Sequence, residues 1–171
     1  MLFNTCVSLP ITHLTNLKGI LTKAKAWQES NGYKEDAVLA AHLSIDQFPL
    51  VKQVQLVSDY AKRLGAVLCG IEAPKYEDNE KTFAELQARI DKTIAFLATL
   101  KEEMVKSDFE TTIIPLPWMP GKGLTGKYYL EFYGISNFYF HYTTTYAILR
   151  NFGLQVGKGD YMGTFPFKDV A

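Results

Sequence analysis

Three stretches of this chain repeat an apolar residue every three or four positions, and a seam with that period is buried by packing helices face to face. The clearest is Leu50, Val54, Val57, Ala61, Leu64 and Leu68, whose alternating spacing lays one apolar line along about five turns of helix. Ser44, Asp46 and Pro49 precede it as start signals, and Gly70 ends it. A second seam runs through Phe83, Leu86, Ile90, Ile94, Leu97, Leu100 and Met104, with Glu85, Asp91, Lys92 and Lys101 left for solvent. It starts behind Thr82-x-x-Glu85, a capping box in which each side chain satisfies the other residue's free backbone N–H. The third, Leu14, Leu17, Leu21 and Ala24, has His13, Ile20 and Trp27 on an adjoining stripe. It predicts a helix from near Ser8 to near Ser30, with Pro10 in its first turn and Asn31-Gly32 as its stop. Glu35 to His42 reads as a short helical turn.

The aromatic-rich stretch from Lys127 to Phe152 permits strand by propensity, but its length and spacing predict a fourth long helix with Gly153 as its C-cap. Asn137, His141, Thr144 and Ile148 share one face, flanked by Phe138, Thr145 and Phe152. Between the third and fourth helices, Thr111 to Leu116 is β-branched and apolar, and Pro115, Pro117, Pro120, Gly121 and Gly123 punctuate a turn before Leu124 and Thr125, which predicts a small irregular hairpin. The fold class is therefore all-α, a four-helix bundle with one short β-hairpin, and the 171 residues (1–171) fit a single domain.

Charge and composition narrow the function. Eighteen Lys and Arg balance 18 Asp and Glu, so no global field gathers nucleic acid or an anionic membrane surface. Phe132 to Leu149 carries no formal charge, yet Ser136, Asn137, His141 and Thr143 to Thr145 would need partners at bilayer depth, so a helix buried in protein is expected and no membrane span. The amino terminus lacks the pattern of a secretory signal. With only Cys6 and Cys69, and no C-x-x-C pair, the expected compartment is the reducing cytoplasm.

Gly121 to Lys127 satisfies G-x4-G-K, but Tyr128 stands where a hydroxyl would hold magnesium and prolines break the preceding segment, so the glycines read as turn formers. Cys69 reads as a small buried hydrophobe rather than a thiol nucleophile. Asp46, Gln53, Gln55 and Asp59 lie along the second long helix, either as half-exposed solubilising groups or, for Gln53 beside the seam, facing a pocket. His141 and Asn137, one turn apart, aim at the same interior point; bonding with Gln53, Tyr60 or Thr145 would satisfy them without metal.

The ordered pieces QFPLVKQVQLVSD, TFAELQARIDKTIAFL, NFYFHYTTTYAILRNFG and GKGDYMG resemble a bacterial family of unknown function within the DinB/YfiT-like superfamily of four-helix bundles, over essentially the whole chain. The resemblance implies a metal site in which one His of the second long helix joins an H-x3-H pair on the last, ahead of an L-R-x-x-G ending. Leu149-Arg150-x-x-Gly153 supplies that ending, which puts His141 at the second His, Asn137 at the first and Gln53 near the third. An amide is a poor substitute for imidazole on zinc or nickel. The expectation is a polar site of Gln53, Tyr60, Asn137, His141 and Thr145, with Tyr142 a further neighbour, that binds a small molecule with no metal and no cofactor. Two alternatives stay open: a divalent-metal, thiol-transferase-like enzyme drawing ligands from Asp46 or Asp59 with His141, and a homodimeric structural or interaction protein.

Overall fold

The computed structural model describes residues 1–116 and 118–170. Its long elements are helices α1 (Leu9–Ser30), α3 (Leu50–Cys69), α4 (Phe83–Ala98) and α6 (Ile135–Asn151), and shorter ones are α2 (Glu35–Leu39), α5 (Gly126–Tyr128) and α7 (Lys158–Met162). Strands β1 (Ile113–Pro115) and β2 (Gly123–Thr125) form one antiparallel hairpin between α4 and α5, with Ile114 opposite Leu124. The chain is thus mostly helical with a small hairpin, and it carries more helices than the four expected.

The predicted seams are the core. Leu50, Val54, Val57, Ala61, Leu64 and Leu68 are all buried, as are Leu14, Leu17 and Leu21 from α1 and Phe83, Leu86 and Ile90 from α4. α3 is the central element, packing against both α4 and α6, and α1 packs against α4. Gly70 closes α3 with a left-handed φ of 64°, which lets Ile71 N–H reach back to the Ala66 carbonyl at 3.0 Å.

Three boundaries depart from the sequence reading. A π-helical turn, Asn4–Ser8, runs straight into α1, so Pro10 lies within a continuous helical run rather than at its start. The wide turn precedes the residue that has no N–H to give. α4 stops at Ala98 instead of reaching Met104: the Thr99 hydroxyl bonds the Phe96 carbonyl at 2.7 Å, and the seam finishes through buried Leu100 and a separate 3-10 turn, Glu102–Met104. The last helix is interrupted by a π-helical turn, Tyr129–Gly134, between α5 and α6. A Cβ on Gly134 would lie 2.6 Å from Leu64 Cδ2, so a glycine here lets the end of the wide turn pack against α3.

The G-x4-G-K stretch folds as the return strand of the hairpin and the cap of α5, where the Thr125 hydroxyl accepts from Tyr128 N–H. A Cβ on Gly126 would lie 2.0 Å from the Phe109 carbonyl oxygen, so backbone contact explains this glycine. The thr-glu cap of α4 holds with one change: Thr82 Oγ1 accepts from Glu85 N–H at 3.1 Å, while Glu85 Oε2 takes the N–H of Lys81 at 2.6 Å. Among the described residues, no helix is long and apolar enough to cross a membrane.

α7 was not expected as an element. It docks the end of the chain onto α1 and α6: the Tyr161 carbonyl accepts from Tyr142 Oη at 2.7 Å and from Asn16 Nδ2 at 3.2 Å, and the rings of Tyr142 and Tyr161 stack at 4.3 Å.

Candidate functional site

α3 and α6 face each other at the level of Gln53 and His141, and the two side chains meet. His141 Nδ1 and Gln53 Oε1 are 2.8 Å apart, and Gln53 Nε2 donates to the Phe48 carbonyl at 3.0 Å, which orients the amide so that its oxygen faces the imidazole. Since that oxygen only accepts, Nδ1 carries the proton and donates it. The ring of Tyr60 stacks on His141 at 5.5 Å and 16°, and Phe140 meets its edge. Burial, and then the nearby Lys52 ammonium, pull the His141 pKa down from 6.5 to about 4, so the ring is neutral at physiological pH. The remaining ring nitrogen, Nε2, has no hydrogen-bond partner among the described residues and keeps some access to solvent, with the residue as a whole 7% exposed.

The other expected members arrange themselves differently. Asn137 is half-buried and gives its Nδ2 to the Tyr133 carbonyl of its own helical run at 2.7 Å, so it does not join His141. The Thr145 hydroxyl likewise bonds the His141 backbone carbonyl at 2.9 Å rather than the ring. A short polar side chain four residues past an open carbonyl satisfies itself within the helix, and sharing a face does not make it share a partner. Tyr60 is placed as expected beside His141 and also pairs hydroxyls with Tyr133 at 2.9 Å. Tyr142 belongs to a separate cluster around His13 and Tyr161.

These donors do not fit a metal. The Gln53 oxygen is already engaged by His141, Asn137 is turned to its own helix, and among the described residues no three His, Cys, Asp or Glu side chains converge as ligands. Asp46 and Asp59 do not make good the deficit: Asp46 is exposed and bonded to Ser44, and Asp59 is committed to cations on the other flank of α3. The thiols offer no nucleophile. Cys6 and Cys69 are free and buried, and burial together with the charge of Cys69 pushes the Cys6 thiol up to about 12.

That other flank holds the largest group of charges missed by the sequence reading. Arg89, with a side chain 1% exposed, bonds Asp59 at 2.7 Å and Glu80 and Asp78 at 3.0 Å each. Lys62 Nζ shares Asp59 at 2.7 Å and lies 3.8 Å above the Tyr76 ring, while Gln55, buried rather than half-exposed, donates to Glu80. The available signal was Arg89 itself, set between Leu86 and Ile90 on the buried side of α4, where a guanidinium requires partners.

The principal cavities are not lined by His141 or Gln53. One, about 460 Å³, is apolar and bounded by Trp27, Tyr33, Ile148 and Phe152. The larger, about 630 Å³, lies between the second half of α3, residues 71–76, the hairpin and Tyr129. An aromatic chain joins it to His141: Tyr60 touches Tyr133, and Trp118, on the cavity wall, stacks on Tyr133 at 4.8 Å.

Residues 2–162 match a family described as Domain of unknown function (DUF1993). Among solved structures the chain is similar to a DinB family member protein from Shewanella denitrificans, with 40% identity, a TM-score of 0.93, and coverage of 99% of this chain and 96% of that one. Among curated proteins none matches.

Proposed function

The chain belongs to the DUF1993 family and is DinB-like throughout, and from that premise we propose a four-helix bundle that binds a small polar molecule at a metal-free site around His141. The observation that carries this reading is the 2.8 Å bond between His141 Nδ1 and Gln53 Oε1. It fixes the tautomer, holds the ring against Tyr60 and leaves the Nε2 lone pair as an acceptor with no partner among the described residues. With a pKa near 4 the ring is a weak base and does not supply a proton at neutral pH, so its role is to accept a hydrogen bond from an O–H or N–H of the ligand. Supporting residues are Gln53 and Tyr60, which orient it; Asn137 and Thr145 shape the same face of α6 from outside the hydrogen-bonded pair.

Two measurements on tag-free protein test this reading. Elemental analysis is expected to find no stoichiometric zinc, nickel or iron, and metal that disappears in His141→Ala would overturn it. Ring ¹⁵N spectra are expected to show Nδ1 protonated and Nε2 bare, with Nε2 moving when short amides and alcohols are added; an Nε2 indifferent to every one of them would equally count against it.

A second reading, homodimerisation, is favoured by one feature. Tyr128, Phe132 and Phe140 are 58%, 67% and 53% exposed, with Tyr128 stacked on Phe132 at 5.1 Å, an aromatic surface left to water of the kind that marks an interaction site. We place such a protein in the cytoplasm, where two unpaired buried thiols stay reduced.

A further inference from the structure

We propose that the 630 Å³ cavity beside Arg63 is a second binding site, separate from the His141 pair, and that it takes a monocarboxylate with an apolar or aromatic body. Charge accounting leads to the head group. Every other charged side chain on the cavity wall is already matched: Lys62 pairs with Asp59, which also holds Arg89, and Lys75 pairs with Glu72 at the rim. Arg63 is half-buried and forms no ion pair among the described residues; its guanidinium lies 5.8 Å from the centre of the Tyr60 ring and beside the neutral Tyr129 hydroxyl. The site therefore presents one net positive charge in the form of a planar fork of donors, the geometry that a carboxylate meets with two parallel bonds. A phosphate monoester would bring nearly two negative charges against that single unmatched cation.

The walls give the rest of the ligand. Ala66, Val67, Ile71, Pro74 and Ile114 make an apolar lining, and the indole of Trp118 forms a flat face held in place by its stack on Tyr133. Tyr129 is 2% exposed, and burial, outweighing the pull of the neighbouring Arg63, pushes its pKa up to about 12, so the hydroxyl meets Arg63 as a neutral partner and leaves its charge unmatched. The volume lies within the range of ordinary small-molecule sites, and the lining combines apolar groups with charges that cancel except for Arg63, a few polar anchors in an apolar wall being their usual composition.

The test is a set of isosteric probes, 4-phenylbutyrate, 4-phenylbutanol and 4-phenylbutyl phosphate, titrated in the millimolar range and followed by the indole N–H and isoleucine methyl resonances. The carboxylate is expected to shift Trp118 and Ile114 while leaving Trp27 unmoved, and to bind at least tenfold more tightly than the alcohol, as a charge-assisted bidentate pair should. Arg63→Met should abolish that preference. Ile71→Glu, elsewhere on the wall, should weaken the carboxylate but not the alcohol and keeps the test alive if the first variant does not fold. Equal binding of acid and alcohol, tighter binding of the phosphate, shifts confined to Trp27, or no binding of the carboxylate would each overturn the proposal.

Discussion

At the scale of single residues, the buried imidazole of His141 contributes to the acid response of the fold. Its pKa is about 4 in the folded chain and 6.5 in an unfolded one, so between those values the unfolded state binds more protons. Its full contribution is present above pH 6.5 and declines as pH falls towards 4. At about 1.4 kcal/mol per unit, the loss across that window is roughly 3 kcal/mol. Chemical denaturation at a series of pH values is expected to show it, and His141→Phe to flatten that segment of the curve. Gln53→Leu is expected to destabilise by about 1 to 3 kcal/mol, because it strands a buried Nδ1–H with no acceptor. An unchanged midpoint would mean that water replaces the amide. The meeting of these two residues was legible because both lie at fixed offsets from apolar seams, which set the rotation of α3 and α6. The choices made by Asn137 and Thr145 were not legible: the carbonyl four residues back and the neighbouring helix compete for the same donor, and periodicity carries no information about which wins.

At the scale of elements, the segment from 71 to 81 has no regular structure, and charge fixes it in place. Arg89 reaches from α4 to the Glu77 carbonyl and to Asp78 and Glu80 in that segment, and to Asp59 on α3. Arg89→Ala leaves Lys62 on Asp59 and Lys52 on Asp78 but takes from Glu80 its only cation among the described residues, leaving that carboxylate to the Gln55 amide, so a loss of about 3 kcal/mol is expected in urea unfolding, with faster proteolysis within 71–81. A loss below 1 kcal/mol would show that the segment is held by its apolar contacts. The sequence offered the arginine but not its partners, since an extended linker has no period from which its path follows. The π turn before α6 was invisible for a related reason: one extra residue in a turn shifts a stripe by too little to separate from ordinary scatter in a 3.6-residue pattern.

For the molecule as a whole, the four long helices and the hairpin were legible because burial of long seams leaves few alternatives, whereas the five-residue α7 has too few positions to show a seam at all. The exposed aromatics of α5, the π-helical turn and α6 make a prediction at this scale. Light scattering over a concentration series is expected to give a dimer that Phe132→Asp converts to monomer; a monomer at every concentration would dismiss pairing. The docking of α7 has a practical corollary. Because the Tyr161 carbonyl gathers donors from both the first and the last long helix, the carboxyl end behaves as a latch, and whatever is fused to this protein is better joined beyond Gly163 than before Lys158. A chain cut at 157 should keep its helices yet let the two they fasten drift apart, loosening the tyrosines packed around His13 while the pair at Gln53 stays shut.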